Sequence, residues 1–155
     1  MQYSEENGRY AKYTLYMVNQ WIRANGAPDI VHWNNGIWDM SVEPPLKGNF
    51  TPLPEYLAAL ERIVETLRTA GVKSVIFATT TYQKPECPNV CAADVDLYND
   101  AARALMRRQG IEINDLGALV KPRIGEFVCG DNLHLNEAGY RACAEQAVEL
   151  LEKYL

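Results

Sequence analysis

The hydrophobic positions of the chain switch repeatedly between the period of a helix and the spacing of a buried strand. Apolar side chains at steps of three and four predict three amphipathic helices, at residues 10–22, from Pro54 to Gly71, and at residues 95–106. Short apolar segments bounded by Pro, Gly and polar residues predict three strands, at residues 29–35, 73–79 and 111–115. A last helix is predicted from Asn136, a residue type that caps helices well, to the C-terminus.

Helices and strands alternate along the whole chain, and this alternation predicts the fold class. Connections of this kind produce a mainly parallel sheet with helices on both faces, which is an α/β fold of the three-layer α/β/α sandwich type. Ligands bind such sheets at the carboxyl ends of the strands. Those ends are polar in this chain, with Asn34 and Asn35 after the first strand, threonines at 79–81 after the second and Asn114-Asp115 after the third.

Composition narrows the function classes. The chain has 155 residues, 48% of them hydrophobic and 23% charged, which fits one globular domain over residues 1–155. The formal net charge of -5, with no run of basic residues, argues against nucleic acid as a partner. No apolar run approaches the ~20 residues that a membrane span needs, and the N-terminus lacks the pattern of a signal peptide. We therefore expect no membrane partner and a cytoplasmic location.

The residues with the clearest chemistry lie just before the last helix, in the segment Asp131-Asn132-Leu133-His134. An aspartate three positions before a histidine can accept a hydrogen bond from one ring nitrogen, which leaves the other nitrogen free to act as a general base. Taken alone, the two residues are more typical of a polar turn that faces solvent. Their interpretation therefore depends on the sequence around them.

The wider segment from Asp131 to Tyr140 resembles the closing block of the SGNH (GDSL-type) hydrolases, in which Asp-x-x-His precedes the last helix. Residues 29–39, DIVHWNNGIWD, resemble the block of that family that supplies an asparagine to the oxyanion hole. Two further segments, residues 5–14 and residues 77–81, are similar to members of one bacterial branch. The resemblance extends over nearly the whole chain and implies a flavodoxin-like SGNH-hydrolase fold.

This resemblance implies roles for five residues in a Ser-His-Asp ester hydrolase. His134 is the general base, and Asp131 orients its ring. Asn34 is the first candidate for the side chain that donates to the oxyanion, and Asn35 is the second, because the residue order here differs from the family's Gly-x-Asn-Asp. The backbone N–H of Gly8 is the candidate for a further donor. A mechanism of this type needs no metal or organic cofactor.

The serine nucleophile of the family is missing from its expected place. No Gly-Asp-Ser motif occurs in the chain, and its three serines, Ser4, Ser41 and Ser74, lack the strand-to-helix context of a nucleophile. Cys129 lies two residues before Asp131, but a buried, inert thiol is the preferred interpretation. We therefore expect an SGNH-hydrolase-like domain that is N-terminally incomplete and lacks the first strand with its nucleophile.

Two functions of different classes follow from this pattern. The first is hydrolysis of a small acyl ester, with an acylated carbohydrate among the candidate substrates and with the serine supplied from outside this chain. The second is a catalytically inactive remnant that serves as a binding or structural module. Because no nucleophile is recognisable in the sequence, both remain open at this point.

A missing first strand would also leave the predicted strand at residues 29–35 at an edge of the sheet. Edge strands expose unpaired backbone N–H and C=O groups and can recruit another chain. The sequence therefore predicts a homo-oligomer that forms through this edge.

Overall fold

The computed structural model describes residues 7–154, and these form a parallel sheet with helices on both faces. In chain order the helices and strands are α1 (Ala11–Asn25), β1 (Ile30–Asn34), α2 (Leu53–Thr69), β2 (Ser74–Ala78), α3 (Ala92–Arg108), β3 (Glu112–Asn114), α4 (Leu116–Val120), α5 (Ile124–Phe127) and α6 (Glu137–Leu151). Two 3-10 helices cover Lys121–Arg123 and Glu152–Tyr154. None of the helices in residues 7–154 combines the length and the apolar character that a bilayer span requires.

The three strands form one sheet in the order β1-β2-β3, and both pairs are parallel. β1 pairs with β2 from Ile30 opposite Ser74 to Asn34 opposite Ala78. Within residues 7–154, β1 has no strand on its other side, so it lies at an edge of the sheet. The α/β fold with a mainly parallel sheet is therefore confirmed.

The main core lies on the face of the sheet that α2 and α3 cover. Trp33, Phe77 and Ile113 point to this face from the three strands, and the Trp33 and Phe77 rings pack edge to face with centroids 5.0 Å apart. Both helices bury apolar stripes against these residues, among them Leu60, Ile63, Leu67, Tyr98, Ala102 and Leu105. Burial of a large apolar side chain stabilises a fold by roughly 1.5–3 kcal/mol, so this face supplies much of the stability.

The opposite face is covered by α6 and holds a chain of polar contacts. Nε2 of His32 lies 3.0 Å from Nδ2 of Asn114, and Nε2 of Gln146 donates to Oδ1 of the same asparagine at 2.7 Å. Burial lowers the pKa of His32, so its ring is neutral at neutral pH and accepts from the Asn114 amide. These contacts fix α6 on the sheet, and α6 directly follows the Asp131 and His134 segment.

The region between residues 116 and 127 differs from the sequence-based prediction, which placed no helix or strand between residue 115 and Asn136. It contains the short helices α4 and α5, which pack on a second small core around Phe127. Asp115 begins α4, because its carboxylate accepts a hydrogen bond from the N–H of Ala118 at 3.1 Å. Helices of four or five residues are too short to show a hydrophobic period, so the sequence pattern does not reveal them.

Candidate active site

Residues 131–134 form a tight turn directly before α6. Asn132 has a left-handed backbone with φ of 66°, which turns the chain so that the Asp131 carboxylate faces the residues after it. Oδ1 of Asp131 accepts hydrogen bonds from the backbone N–H groups of Leu133 and His134, both at 2.9 Å. Its Oδ2 lies 2.7 Å from Nδ1 of the His134 ring. The structure therefore brings the predicted carboxylate and imidazole into contact.

The contacts of Asp131 keep it charged and set the tautomer of the ring. The Cys129 thiol, 3.0 Å from Oδ1, and the N–H groups of the turn hold the pKa of Asp131 well below its usual range. Since an ionised carboxylate only accepts hydrogen bonds, Nδ1 of His134 carries the ring proton. The lone pair of Nε2 is then available, and the side chain is 65% exposed. This arrangement suits a general base that takes a proton from a hydroxyl group.

Contacts on both sides hold this turn in place. The backbone N–H of Lys84 donates to the carbonyl oxygen of Asn132 at 3.0 Å, and Nζ of the same lysine donates to the carbonyl oxygen of Cys129 at 3.0 Å. On the other side, Oδ1 of Asn136 accepts from the N–H of Gly139 at 3.0 Å and begins α6. The predicted N-cap at Asn136 is confirmed, and it fixes where the turn ends.

A second cluster forms where the chain leaves β1. Asn35 is buried, and its Nδ2 donates two long hydrogen bonds, to the carbonyl oxygens of Gly8 at 3.4 Å and Arg9 at 3.3 Å. Its Oδ1 is also buried and has no hydrogen-bond partner among residues 7–154. A Cβ atom at Gly8 would lie 2.9 Å from Oγ1 of Thr14 and 3.4 Å from Nδ2 of Asn35, so this close approach requires glycine. The structure thus brings Gly8 and Asn35 together.

Asn34, the first candidate for the oxyanion side chain, points elsewhere. It is exposed, and its Nδ2 donates to the carbonyl oxygen of Ala78 at 2.7 Å, which ties the end of β1 to the end of β2. It approaches Gly8 through its backbone, with a carbonyl oxygen 3.8 Å from the position of a Cβ at Gly8. The oxyanion roles of both asparagines stay predictions, and their different contacts make the two separable by experiment.

Sequence reasoning missed one residue of this second cluster. Asp39 has no exposed surface, and both of its carboxylate oxygens lie 3.0 Å from the N–H of Ala11 at the start of α1. Burial raises the pKa of Asp39 to about 6, although the hydrogen bond from Ala11 acts in the opposite direction. The only signal in the sequence is that this aspartate stands between two apolar residues, Trp38 and Met40.

Both clusters lie at the carboxyl end of the sheet, where the sequence predicts a ligand site. Oγ1 of Thr80, two residues beyond the end of β2, donates to the carbonyl oxygen of Asn35 at 3.3 Å. Four residues later, Lys84 holds the turn that carries His134. The segment after β2 therefore contacts both clusters.

The sequence matches a model of the GDSL-like Lipase/Acylhydrolase family over residues 7–142. The chain belongs to this family. The matched range includes Gly8, Asn35, Asp131 and His134, and the match confirms the resemblance to the SGNH (GDSL-type) hydrolases. No curated protein matches the sequence.

Solved structures of other hydrolases share the fold of this GDSL-like family member. A lipase/acylhydrolase from Enterococcus faecalis is 20% identical with a TM-score of 0.82, and the match covers 96% of this chain and 73% of that one. LAE5, an alpha/beta hydrolase enzyme from the metagenome of Lake Arreo in Spain, is 21% identical with a TM-score of 0.76, over 92% and 67% of the two chains. An acetylxylan esterase from Geobacillus stearothermophilus is 20% identical with a TM-score of 0.76, over 92% and 67%. At this level of identity the likeness shows the fold.

The nucleophile of the GDSL-like family has no clear counterpart in residues 7–154. The hydroxyl of Ser41 donates to the carbonyl oxygen of Trp38 at 2.9 Å, and Ser74 begins β2, at the opposite end of the strand from the two clusters. Ser74 is half-buried. Cys129 is also half-buried, so the expectation of a buried thiol is wrong. Ser4 lies outside the described residues. No hydrogen bond among the described residues joins a serine to the ring of His134.

Proposed function

We propose that this GDSL-like family member supplies the base, the orienting carboxylate and the oxyanion donors of a Ser-His-Asp hydrolase of small acyl esters. The proposed substrates are acetyl esters of carbohydrates. The serine hydroxyl comes from polypeptide outside residues 1–155, on a longer chain or on a second polypeptide. The observation that carries the proposal is the 2.7 Å contact between Nδ1 of His134 and Oδ2 of Asp131.

A structural neighbour supports both the catalytic pair and the substrate class. Solved structures of the acetylxylan esterase from Geobacillus stearothermophilus include catalytic mutants in which alanine replaces a serine, a histidine, or an aspartate three positions before that histidine. Asp131 and His134 have the same separation. A further structure of that protein describes it as an acetyl-xylooligosaccharide esterase, which is the basis for proposing an acetylated carbohydrate here.

In the proposed reaction, the serine oxygen attacks the ester carbonyl carbon while the hydroxyl proton moves to Nε2 of His134. The N–H groups of Gly8 and Asn35 stabilise the negative charge that develops on the carbonyl oxygen, and each donor contributes roughly 3 kcal/mol. The imidazolium then gives its proton to the leaving alcohol, and an acyl-serine remains. Water, activated by the same nitrogen, attacks the acyl-serine and releases the acid.

The hydrogen bonds of Asn35 are compatible with this role. Its Nδ2 atom donates to two backbone carbonyl oxygens at 3.3 and 3.4 Å, which is longer than the usual 2.7–3.2 Å of an N–H···O bond. Exchange of one such weak bond for a bond to an oxyanion costs little. The amide would then donate to charge that exists only in the transition state, which is the condition for catalysis.

The test uses the longest chain that the gene encodes. The genomic DNA upstream of Met1 is read for an in-frame strand followed by Gly-Asp-Ser, and that chain is assayed with p-nitrophenyl acetate, acetylated xylo-oligosaccharides and a fluorophosphonate probe. We expect labelling of the new serine, and we expect His134→Ala to lower kcat by about 10⁶-fold. His32→Gln, a change of the other of the two histidines, is the matched control and should retain turnover. Turnover that survives in His134→Ala would contradict the proposal.

An inactive binding module is the second candidate. Two observations favour it: within residues 7–154 no serine bonds to His134, and both N–H groups of the Asn35 amide already donate to backbone oxygens. This alternative predicts that the protein binds acetylated xylo-oligosaccharides without releasing acetate, and that His134→Ala leaves the affinity unchanged. Calorimetric binding measured beside acetate release separates the two functions.

A further inference from the structure

Asp39 is a buried carboxylate that caps the N-terminus of α1, although it lies far from this helix in the sequence. Its two oxygens lie 3.0 Å from the N–H of Ala11, the first residue of α1, although 28 positions separate the two residues. The residue in the N-cap position, Tyr10, makes no side-chain capping bond. The carboxylate also places a negative charge at the positive end of a helix of 15 residues, which is favourable.

The segment that Asp39 holds has a backbone conformation that needs support. Arg9 has φ of 47°, in the left-handed region that side chains other than glycine rarely adopt. Such conformations are unfavourable and persist where surrounding contacts hold them. Here the contacts are a hydrogen bond from Oγ1 of Thr14 to the carbonyl oxygen of Gly8 at 2.7 Å, the two bonds from the Asn35 amide, and the carboxylate that holds Ala11.

A neutral cap such as serine or asparagine satisfies a helix N-terminus without the cost of burying a charge. The charge at Asp39 therefore requires a reason beyond capping. The residues that its carboxylate anchors are those next to Gly8, whose carbonyl oxygen meets the Asn35 amide. A strong acceptor at the start of α1 therefore fixes the position of Gly8 relative to the Asn35 amide.

We propose that Asp39 is a positioning residue, whose buried carboxylate holds residues 8–10 against Asn35 and so keeps the two candidate oxyanion donors together. The catalytic meaning of this placement rests on the proposed hydrolase function. The position of residues 8–10 against Asn35 does not depend on that function, and it can be measured without an activity assay.

The groups that face Asp39 define how its protonation acts on the turn. From α1 these are the N–H of Ala11 and the ammonium group of Lys12, from the loop before α2 the side chain of Thr51, and from α2 and α3 the hydroxyl groups of Tyr56 and Tyr98. Burial raises the pKa of the carboxyl to about 6 against the favourable contacts of Ala11, Thr51 and Lys12. A protonated carboxyl keeps one carbonyl oxygen that can accept from Ala11 but loses its negative charge and its second acceptor contact. Its hold on the N–H of Ala11 therefore weakens as the pH falls through this value.

The experiment follows NMR resonances of the full ¹⁵N-labelled chain as the pH changes. We expect the backbone amides of Gly8 and Ala11 and the side-chain amide of Asn35 to shift together with a midpoint of about 6. In Asp39→Asn this pH-dependent shift disappears. The three resonances then stay, at every pH, near the positions that they have in the unchanged protein at low pH. Two controls retain the pH-dependent shift: Asp29→Asn, which removes an exposed carboxylate paired with Lys73, and His134→Ala, which removes the imidazole of the other cluster.

The proposal is overturned if the three resonances do not shift together around that midpoint, or if the pH-dependent shift persists in Asp39→Asn. The titration of the unchanged protein decides the first point even where the variant fails to fold. Absence of esterase turnover would contradict the proposed function and leave the NMR result intact, so the two failures are distinguishable.

Discussion

The two halves of the candidate site are built in opposite ways. The proposed base and its carboxylate, His134 and Asp131, are three positions apart, lie on one exposed turn and touch each other directly. The proposed oxyanion half joins Gly8 to Asn35 and Ala11 to Asp39, which are 27 and 28 positions apart, and the side chains of Asn35 and Asp39 are buried. The first half is encoded within four residues, whereas the second exists only when the chain has folded.

This difference predicts different consequences of mutation. The contacts of Asp131 are exposed to solvent, so they add little to the stability of the fold, while they set which nitrogen of the neutral ring carries the proton. Asn35 and Asp39 contact the backbone of another segment inside the protein, and their replacement leaves buried groups without partners. We therefore expect changes in the first half to alter chemistry alone, and changes in the second half to alter both chemistry and stability.

Among the changes that compare the two halves, the largest effect is expected for Asp131→Asn. An asparagine no longer requires a proton on Nδ1 of the ring, so Nε2 of His134 carries it and cannot act as a base. We expect kcat to fall by about 10³–10⁴-fold in the longest chain that hydrolyses acetyl esters, with a nearly unchanged midpoint of urea unfolding. Asp100→Asn, an exposed carboxylate on α3, is the matched control. A loss of less than tenfold would show that the carboxylate does not set the tautomer.

The next effect separates the two asparagines. Asn35→Ala removes the amide that meets Gly8, so we expect kcat to fall by about 10²–10³-fold and the free energy of unfolding to fall by about 1–3 kcal/mol. Asn34→Ala removes a hydrogen bond to the carbonyl oxygen of Ala78, and we expect turnover within a few-fold of the unchanged protein. Kinetics and urea unfolding of both variants check this order. A larger loss of turnover in Asn34→Ala would assign the oxyanion role to Asn34.

The third prediction concerns stability as a function of pH. The pKa of Asp39 is raised from 3.8 to about 6 in the folded protein, so the folded state binds this proton more tightly than the unfolded state. Stability from this group is fully present well below pH 3.8 and is lost as the pH rises through about 6, which amounts to about 3 kcal/mol in total. Relative to the unchanged protein, Asp39→Asn should therefore gain about 3 kcal/mol of unfolding free energy over that interval. Urea unfolding of both proteins below pH 3.8 and above pH 6 measures this gain. A difference in unfolding free energy between the two proteins that does not change with pH would exclude the raised pKa.

The smallest effect concerns the exposed edge of β1. We expect the chain to self-associate through this edge, with a mass of two or more copies in size-exclusion chromatography with light scattering. Ile30→Lys places a charge on the edge strand and should shift the protein toward the monomer. Leu97→Lys, which replaces an exposed apolar residue of α3, should not. A clean monomer of the unchanged chain would contradict this prediction.

The elements of the fold follow the hydrophobic pattern closely. The predicted strands at residues 29–35 and 73–79 are each one residue longer at both ends than β1 and β2. The third helix is longer than its apolar stripe, because its first turn, from Ala92, carries little of the periodic signal. α4 and α5 were not predictable, because four or five residues do not complete a hydrophobic period and their burial depends on the small core around Phe127.

The sequence by itself determined the alternation of strands and helices, the parallel sheet and the contact between Asp131 and His134. These features depend on residues that are close along the chain, where periodicity and turn chemistry act directly. The tertiary structure decided that Asn35, and not Asn34, meets Gly8, and it turned Asp39 from a loop aspartate into a buried anchor of α1. Such contacts form only when folding brings distant segments together and removes their polar groups from water, which no local pattern encodes.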